Sequence, residues 1–186
     1  MSEKNIKRTT KLFVLTEYEA EEQYLSEMHK NGWKLTEGKH FTFEKCEPED
    51  VVYRLDFPGE IKDKDPYIKM FEDYGWEYIY EFNGFYYFRK NADGISPEDL
   101  EIFNDDGSKL EMMKKIIDKG LKPSIILFFL LVFPNFFNVV VTLNTRYLPI
   151  SIALITGYGI LFALYIYIFV RSYVNYSKLK KKYSKD

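Results

Sequence analysis

Residues 123–143 read PSIILFFLLVFPNFFNVVVTL, and residues 148–170 read LPISIALITGYGILFALYIYIFV. Each stretch has about the ~20 apolar residues needed to cross a hydrocarbon core. Neither contains a charge. Both are apolar all round, so neither has the polar face of a helix on a soluble domain. In lipid the backbone must satisfy its own polar groups, so both stretches are expected to be helical. The connector, residues 144–147, is too short to hold a domain. A tight transmembrane hairpin is therefore expected over 123–170.

Charge is distributed around this hairpin in blocks. Residues 1–90 carry 14 basic and 19 acidic side chains, and residues 91–108 carry no basic and six acidic ones. Residues 109–122 carry five basic and two acidic side chains, and residues 171–186 carry six and one. Lys114, Lys115, Lys119 and Lys122 precede the first stretch. Arg171, Lys178, Lys180, Lys181, Lys182 and Lys185 follow the second, and the connector has only Arg146. The positive-inside rule then expects both flanks in the cytoplasm, with 171–186 as a basic tail. Tyr147, Tyr173 and Tyr176 fall where an interfacial aromatic belt would lie. An acidic N-terminal part argues against nucleic acid, since phosphate binding needs a basic face. The expected partner of the basic flanks is the anionic surface of a lipid bilayer. Cys46 is the single cysteine, which excludes an intramolecular disulfide and suits a reducing compartment. The polar start, MSEKNIKRTT, has no apolar core, so no cleavable signal is expected.

Within the hairpin, Pro134 is expected to kink the first helix. Asn135 and Asn138 beside it could bond across to the partner helix. Ala153 with Gly157, and Gly159 with Ala163, are small residues four apart. They form two ridges suited to close helix packing, either inside the hairpin or in a homodimer. The spans hold no ionisable group, which argues against a transport pathway.

The N-terminal part carries an internal echo. YLSEMHKNGW (24–33) and YIKMFEDYGW (67–76) align at an offset of 43. HFTFEK (40–45) echoes FYYFRK (85–90), and FVLTEY (13–18) parallels YRLDFP (53–58). Each unit reads as strand, helix, strand, strand. In the first unit these are 11–18, 19–31, 33–37 and 39–45, with Gly32 as the helix stop and a turn at Gly38. In the second, 51–57 is a strand and Asp65-Pro66 opens a helix. That helix stops at Gly75, and 76–82 and 85–90 form a hairpin around Asn83-Gly84. The expected fold is α+β: a ferredoxin-like, duplicated βαββ domain over 1–90, with one antiparallel sheet and helices on one face. Residues 91–122 read as a linker. Ser96 is placed to cap one turn, and Ser108 a juxtamembrane amphipathic helix, 109–119, presenting Leu110, Met113, Ile116 and Ile117. That helix suits either the membrane surface or packing on the domain.

EEQYLSEMHKNGWKL, FTFEKCEPEDVVYRLDF, FEDYGWEYI and FYYFRK resemble the bacterial family catalogued as domain of unknown function number twenty-eight-twelve. EIFNDDGSKLE resembles that family's next segment, so the resemblance covers roughly residues 10–115. It implies a membrane hairpin after the domain. It also implies a regulatory context, since members are often encoded beside PadR-type transcriptional repressors. It implies no catalytic residues.

No P-loop, dinucleotide fingerprint, nucleophile elbow or zinc-protease motif occurs. His29, His40 and Cys46 lack ligand spacing and read as ordinary surface or edge residues. No cofactor or metal is expected. Glu19, Glu21, Glu22 and Glu27 read as the solvated face and first turn of a helix. The aromatic excess stands out. Trp33 and Trp76 open equivalent strands, and strand alternation places Tyr78, Tyr80 and Phe82 on one face. Phe85 and Tyr87 share a face opposite Tyr86 and Phe88. Both faces of this hairpin must then be covered, either by the chain's own elements or by a ligand or partner. The candidate surface is Trp33, Trp76, Tyr78, Tyr80, Phe82, Phe85 and Tyr87. Three functions fit: a membrane-tethered cytoplasmic binding or regulatory module with a protein partner or second copy, an accessory subunit of a membrane transporter, or, least favoured, an enzyme at the membrane surface.

Overall fold

The computed structural model describes residues 5–37, 41–103, 105–141 and 148–183. The architecture is α+β: two small antiparallel three-stranded sheets, followed by two long apolar helices. The first sheet holds β1 (Ile6–Arg8), β2 (Trp33–Glu37) and β3 (Thr42–Lys45) in the order β1-β3-β2. The second holds β4 (Val51–Asp56), β5 (Glu77–Phe82) and β6 (Phe85–Asn91) in the order β4-β6-β5. Helix α1 (Tyr18–Lys30) joins β1 to β2, and α2 (Lys64–Asp73) joins β4 to β5. The two sheets are bridged where Arg89 Nη1 donates to the Leu35 carbonyl at 3.4 Å.

The segment 11–18, expected as a strand, is not one. β1 lies earlier, and Leu15–Glu17 forms a 3₁₀ turn running into α1. Glu17 decides this locally. Its carboxylate accepts from the Val14 N–H at 3.1 Å, while its own N–H donates to the Val14 carbonyl at 2.8 Å. Such reciprocal bonds start a helix rather than a ladder. The first helix otherwise ends as expected, with Gly32 at φ +82°. The Asn83-Gly84 turn is also as expected. Both residues have positive φ, 51° and 81°, which matches a two-residue hairpin turn. Helix α2 starts earlier than expected: Asp63, not Asp65, is the cap, and its carboxylate accepts from the Asp65 N–H at 3.3 Å.

A single sheet with helices on one face is corrected to a sheet covered on both sides. On β4 and β6, Tyr53, Leu55, Phe85 and Tyr87 face the cluster containing Leu25 of α1. Tyr86 and Phe88 face the cluster of Phe71 from α2 with Trp76. Two helices on opposite faces require apolar side chains at consecutive positions, hence the unbroken run Phe85–Phe88.

After a 3₁₀ turn at Glu98–Leu100, α3 (Asp106–Lys115) begins a continuous helical run to Val140. Its cap is Asp105 rather than Ser108: the Asp105 carboxylate accepts from the Ser108 N–H at 2.7 Å and the Ser108 hydroxyl at 3.0 Å. Met112, Met113 and Ile116 are buried in the main core, so α3 packs on the domain. The run continues through α4 (Lys122–Leu127) and α5 (Phe133–Val141). It widens to i→i+5 turns at Ile116–Leu121 and Phe128–Val132. Each wide turn immediately precedes a proline's neighbourhood, Pro123 or Pro134. A proline lacks an N–H and its ring crowds the carbonyl four residues back, and a wide turn relieves both problems without breaking the helix.

Helix α6 spans Leu148–Tyr183. It and the run Asp106–Val140 are each long and apolar enough to cross a membrane. Leu130, Phe137, Ile150 and Ile160 are 58–67% exposed. Each would forgo about 1.5–3 kcal/mol of burial if it faced water. The connector 144–147, with Arg146 and Tyr147, lies outside the described residues, as do Gly38, His40 and Lys185. The expected basic tail is corrected. Residues 171–183 continue α6 without a break, and Leu179 and Tyr183 are buried in the core of the α+β domain.

Candidate functional site

The aromatic candidates divide between two cores. Trp76, Phe85 and Tyr87 are buried, and Trp33, Tyr78, Tyr80 and Phe82 are half-buried. The expected shared face of Tyr78, Tyr80 and Phe82 is corrected. Opposite Tyr87 and Phe88 the register slips between Tyr78 and Tyr80. A β-bulge places two residues against one, so side chains beyond it change face. Tyr78 therefore joins Trp76, Tyr86 and Phe88, while Tyr80 and Phe82 join Phe85 and Tyr87. Tyr80 stacks on Tyr87 with centroids 4.4 Å apart. The rings are packed among the chain's own helices and sheets rather than laid out as one open surface.

Three of these residues do line a pocket. Phe82, Phe85 and Tyr87 form one wall of a cavity of about 280 Å³, faced by residues 9–15, with Phe41 beside them and Glu21 also lining it. Phe13, Val14, Leu15, Phe41 and Phe82 remain half-exposed there, and Leu12 is 85% exposed. The Tyr87 hydroxyl donates to Glu21 at 2.5 Å. Lys11 sits on the opposite wall, its ammonium 5.2 Å from the Phe13 ring centre and 4.1 Å from that of Tyr24.

This pocket adjoins the ends of the apolar stretches. Gly120 lets the Leu15 side chain come so close that a Cβ would stand 2.7 Å from it. Arg171 Nε donates to Glu17 at 2.6 Å. The Asn175 amide donates to the Thr16 carbonyl. Further along α6, Lys182 pairs with Glu19 at 3.0 Å and the Tyr183 hydroxyl bonds the same carboxylate. The result is a clamp: one face of α6, with Ser172, Tyr176, Leu179 and Tyr183 at helical spacing, lies against the start of α1 and against α3.

Two carboxylates of α1 are buried with no sign of it in the sequence pattern. Glu21 and Glu22, expected on a solvated face, are 9% and 8% exposed. Glu22 accepts from the Leu55 N–H at 2.8 Å and lies 3.8 Å from Arg54. Arg54 in turn bonds Glu101 at 2.8 Å, and Glu101 pairs with Lys109 at 3.0 Å. Burial pushes the Glu22 carboxyl up to about 8 despite Arg54, and Glu21 up to about 7 despite its bond from Tyr87. Glu19, Glu22, Arg54, Glu101, Lys109 and Tyr183 line a second, polar crevice of about 230 Å³ together with Tyr18, whose hydroxyl has no partner among the described residues. His29, expected at the surface, is 5% exposed with Nδ1 2.8 Å from the Tyr53 hydroxyl. Its desolvation holds its pKa below the usual histidine range. No group of three His, Cys, Asp or Glu among the described residues could hold a metal ion.

The hairpin contact uses different residues from those expected. Phe128 stacks near Phe162 and Tyr165, with centroids 5.6 and 4.5 Å away. Ala153 and Ala163 are exposed, and a Cβ built on Gly157 or Gly159 would meet nothing within 4 Å. The small-residue ridges therefore face away from the partner helix. Asn135 is corrected too: its amide donates to the Leu131 carbonyl of its own helix at 2.6 Å.

No curated protein and no solved structure matches the chain. The family described as "Protein of unknown function (DUF2812)" matches residues 17–129. That match spans both sheets from α1 onward, α3 and the first turns of the apolar run, more than half of the chain, and the chain belongs to this family.

Proposed function

We propose that the protein is a membrane-anchored binding or regulatory module that does not catalyse a reaction, its α+β domain and both flanks of the hairpin on the cytoplasmic side. One observation carries this reading. Helix α6 passes without a break from a lipid-suited stretch into the core of the domain, and a half-apolar pocket opens beside that junction. A domain held this way can transmit occupancy of its pocket to the hairpin as a rigid-body change, because the clamp bonds lie on α6 itself.

In this reading the domain is a duplicated βαββ unit of ferredoxin-like style. The support is topological. Both sheets share one strand order, and both second strands carry a bulge, between Leu35 and Glu37 and between Tyr78 and Tyr80. These positions are 43 residues apart, the same offset as the sequence echo. A bulge in the same register is a specific feature to share by chance.

A second reading, an accessory subunit of a membrane transporter or a homo-oligomer, is favoured by the open face at Gly157 and Gly159. In lipid such faces drive close helix approach. Native mass spectrometry of the full chain in nanodiscs drawn from its own membrane separates the readings. The module reading expects a stoichiometric ligand or soluble partner added to the 22.2 kDa chain. The subunit reading expects a polytopic protein at fixed ratio, lost on Gly157→Leu. A bare chain in every preparation would sink both. Orientation is tested with Cys46, the one thiol: a membrane-impermeant maleimide should label it only after the cells are opened.

A further inference from the structure

The pocket beside the junction has features that select a ligand class. Its apolar walls are Leu12, Phe13, Leu15, Phe41, Phe82 and Phe85, of which Phe85 is buried, Leu12 exposed and the other four half-exposed, a concave lining suited to the apolar part of a ligand. Of its polar lining, the Tyr87 hydroxyl donates to Glu21 and the Thr9 hydroxyl is bonded to the Tyr24 hydroxyl. Its cation is Lys11, an exposed side chain. The volume of about 280 Å³ is large enough to take part of an acyl chain.

Its position fixes where such a chain would come from. Leu15 rests on Gly120 and Glu17 on Arg171, the residues that bracket the apolar stretches. Leu12 is three residues before Leu15, within about 10 Å even in an extended chain. On the other wall, Gly84 lies against Phe57, and Gly59 lies against Lys119. Both walls are thus tied to the level at which the helices would leave a bilayer.

We propose that this pocket holds the tail of a single-chain anionic amphiphile of the fatty-acid class, drawn from the adjacent leaflet, with its head at Lys11. This rests on the reading of 123–170 as embedded in lipid. Occupied, the pocket has a tail between residues 12–15 and the β5–β6 turn. Because Thr16 and Glu17 bond α6 directly, occupancy bears on the clamp within two residues of the ligand.

The test uses the full chain in phosphatidylcholine nanodiscs with a photoactivatable decanoic acid, and maps the labelled peptides. The expected result is label on 9–15 and 81–88 that excess decanoate removes. Lys11→Glu with Leu12→Glu, both at exposed positions, should weaken that label roughly tenfold through lost apolar contact and reversed charge. Label confined to 123–141 and 148–170 would overturn the pocket assignment while leaving the membrane reading standing. Pocket label that the double substitution or excess decanoate leaves unchanged would also overturn it. Absence of label from the long helices as well would overturn the membrane reading, and the proposal with it.

Discussion

Replacing Glu22 with Gln should change how stability depends on pH more than it changes stability itself. Glu22 is 8% exposed, and its carboxyl titrates near 8 in the fold against 4.5 when free. Between those values the folded chain holds a proton that the unfolded chain has released. Stability therefore falls as pH rises through that window, and the neutral form's advantage is fully present only below the unfolded value. At 1.36 kcal/mol per unit, the full excursion is about 5 kcal/mol for this group. Gln keeps the acceptor for the Leu55 N–H and cannot ionise. The Gln variant should therefore lose only the smaller slope contributed by Glu21, which titrates near 7. The assay is thermal unfolding of the full chain in nanodiscs at a series of pH values from 5 to 9. Wild type should lose melting temperature progressively from pH 5 to about 8 and level off above that, and Glu22→Gln should be the more stable of the two at the top of the range. Parallel curves for the two proteins would refute the argument, because they would mean that Glu22 is ionised and stably paired with Arg54 in the fold.

Other substitutions probe separate parts of the structure. Leu179→Ala removes a 6% exposed side chain from the core face of α6 and should cost about 2–5 kcal/mol, read by denaturant unfolding of the domain. Tyr53→Phe takes away the hydroxyl shared by His29 Nδ1 and the Leu35 N–H. Two buried polar groups lose their partner, so a loss of about 1–3 kcal/mol is expected in the same assay. Gly84→Ala would place a Cβ at φ +81°, 2.7 Å from the Phe57 ring. It should destabilise by about 1–3 kcal/mol in thermal unfolding and shift the Phe57 ring resonances.

The parts of the fold legible in sequence were those whose signal is local. Apolar runs longer than a soluble helix tolerates marked both long helices. Asn83-Gly84 marked its turn, and Gly32 marked the end of α1. What escaped depends on tertiary context. β1 carries no apolar alternation, since all three of its residues are exposed, whereas the more apolar 11–18 segment lines a pocket instead. The bulge at Tyr78 to Tyr80 exchanges faces, and no residue type in EYIYEF announces it. Glu21 and Glu22 look like solvated helix residues, yet α1 is covered by β4 on the side where they point. The pocket was half legible. Aromatic density in the sequence points to Phe82, Phe85 and Tyr87, but the opposing wall, Leu12 to Leu15, has the residue pattern of a strand. Residues 171–186 have the composition of a basic tail because lysines dominate them, while Leu179 and Tyr183, at helical spacing within them, carry the packing.

The central claim is that the α+β domain is fixed to the long apolar helices through α6. Hydrogen exchange of the full chain in nanodiscs, followed at amides 172–183, tests it most directly. The account predicts protection there comparable to that of α1, lost selectively in Leu179→Ala. Exchange of these amides at the rate of a free chain, with α1 still protected, would contradict it.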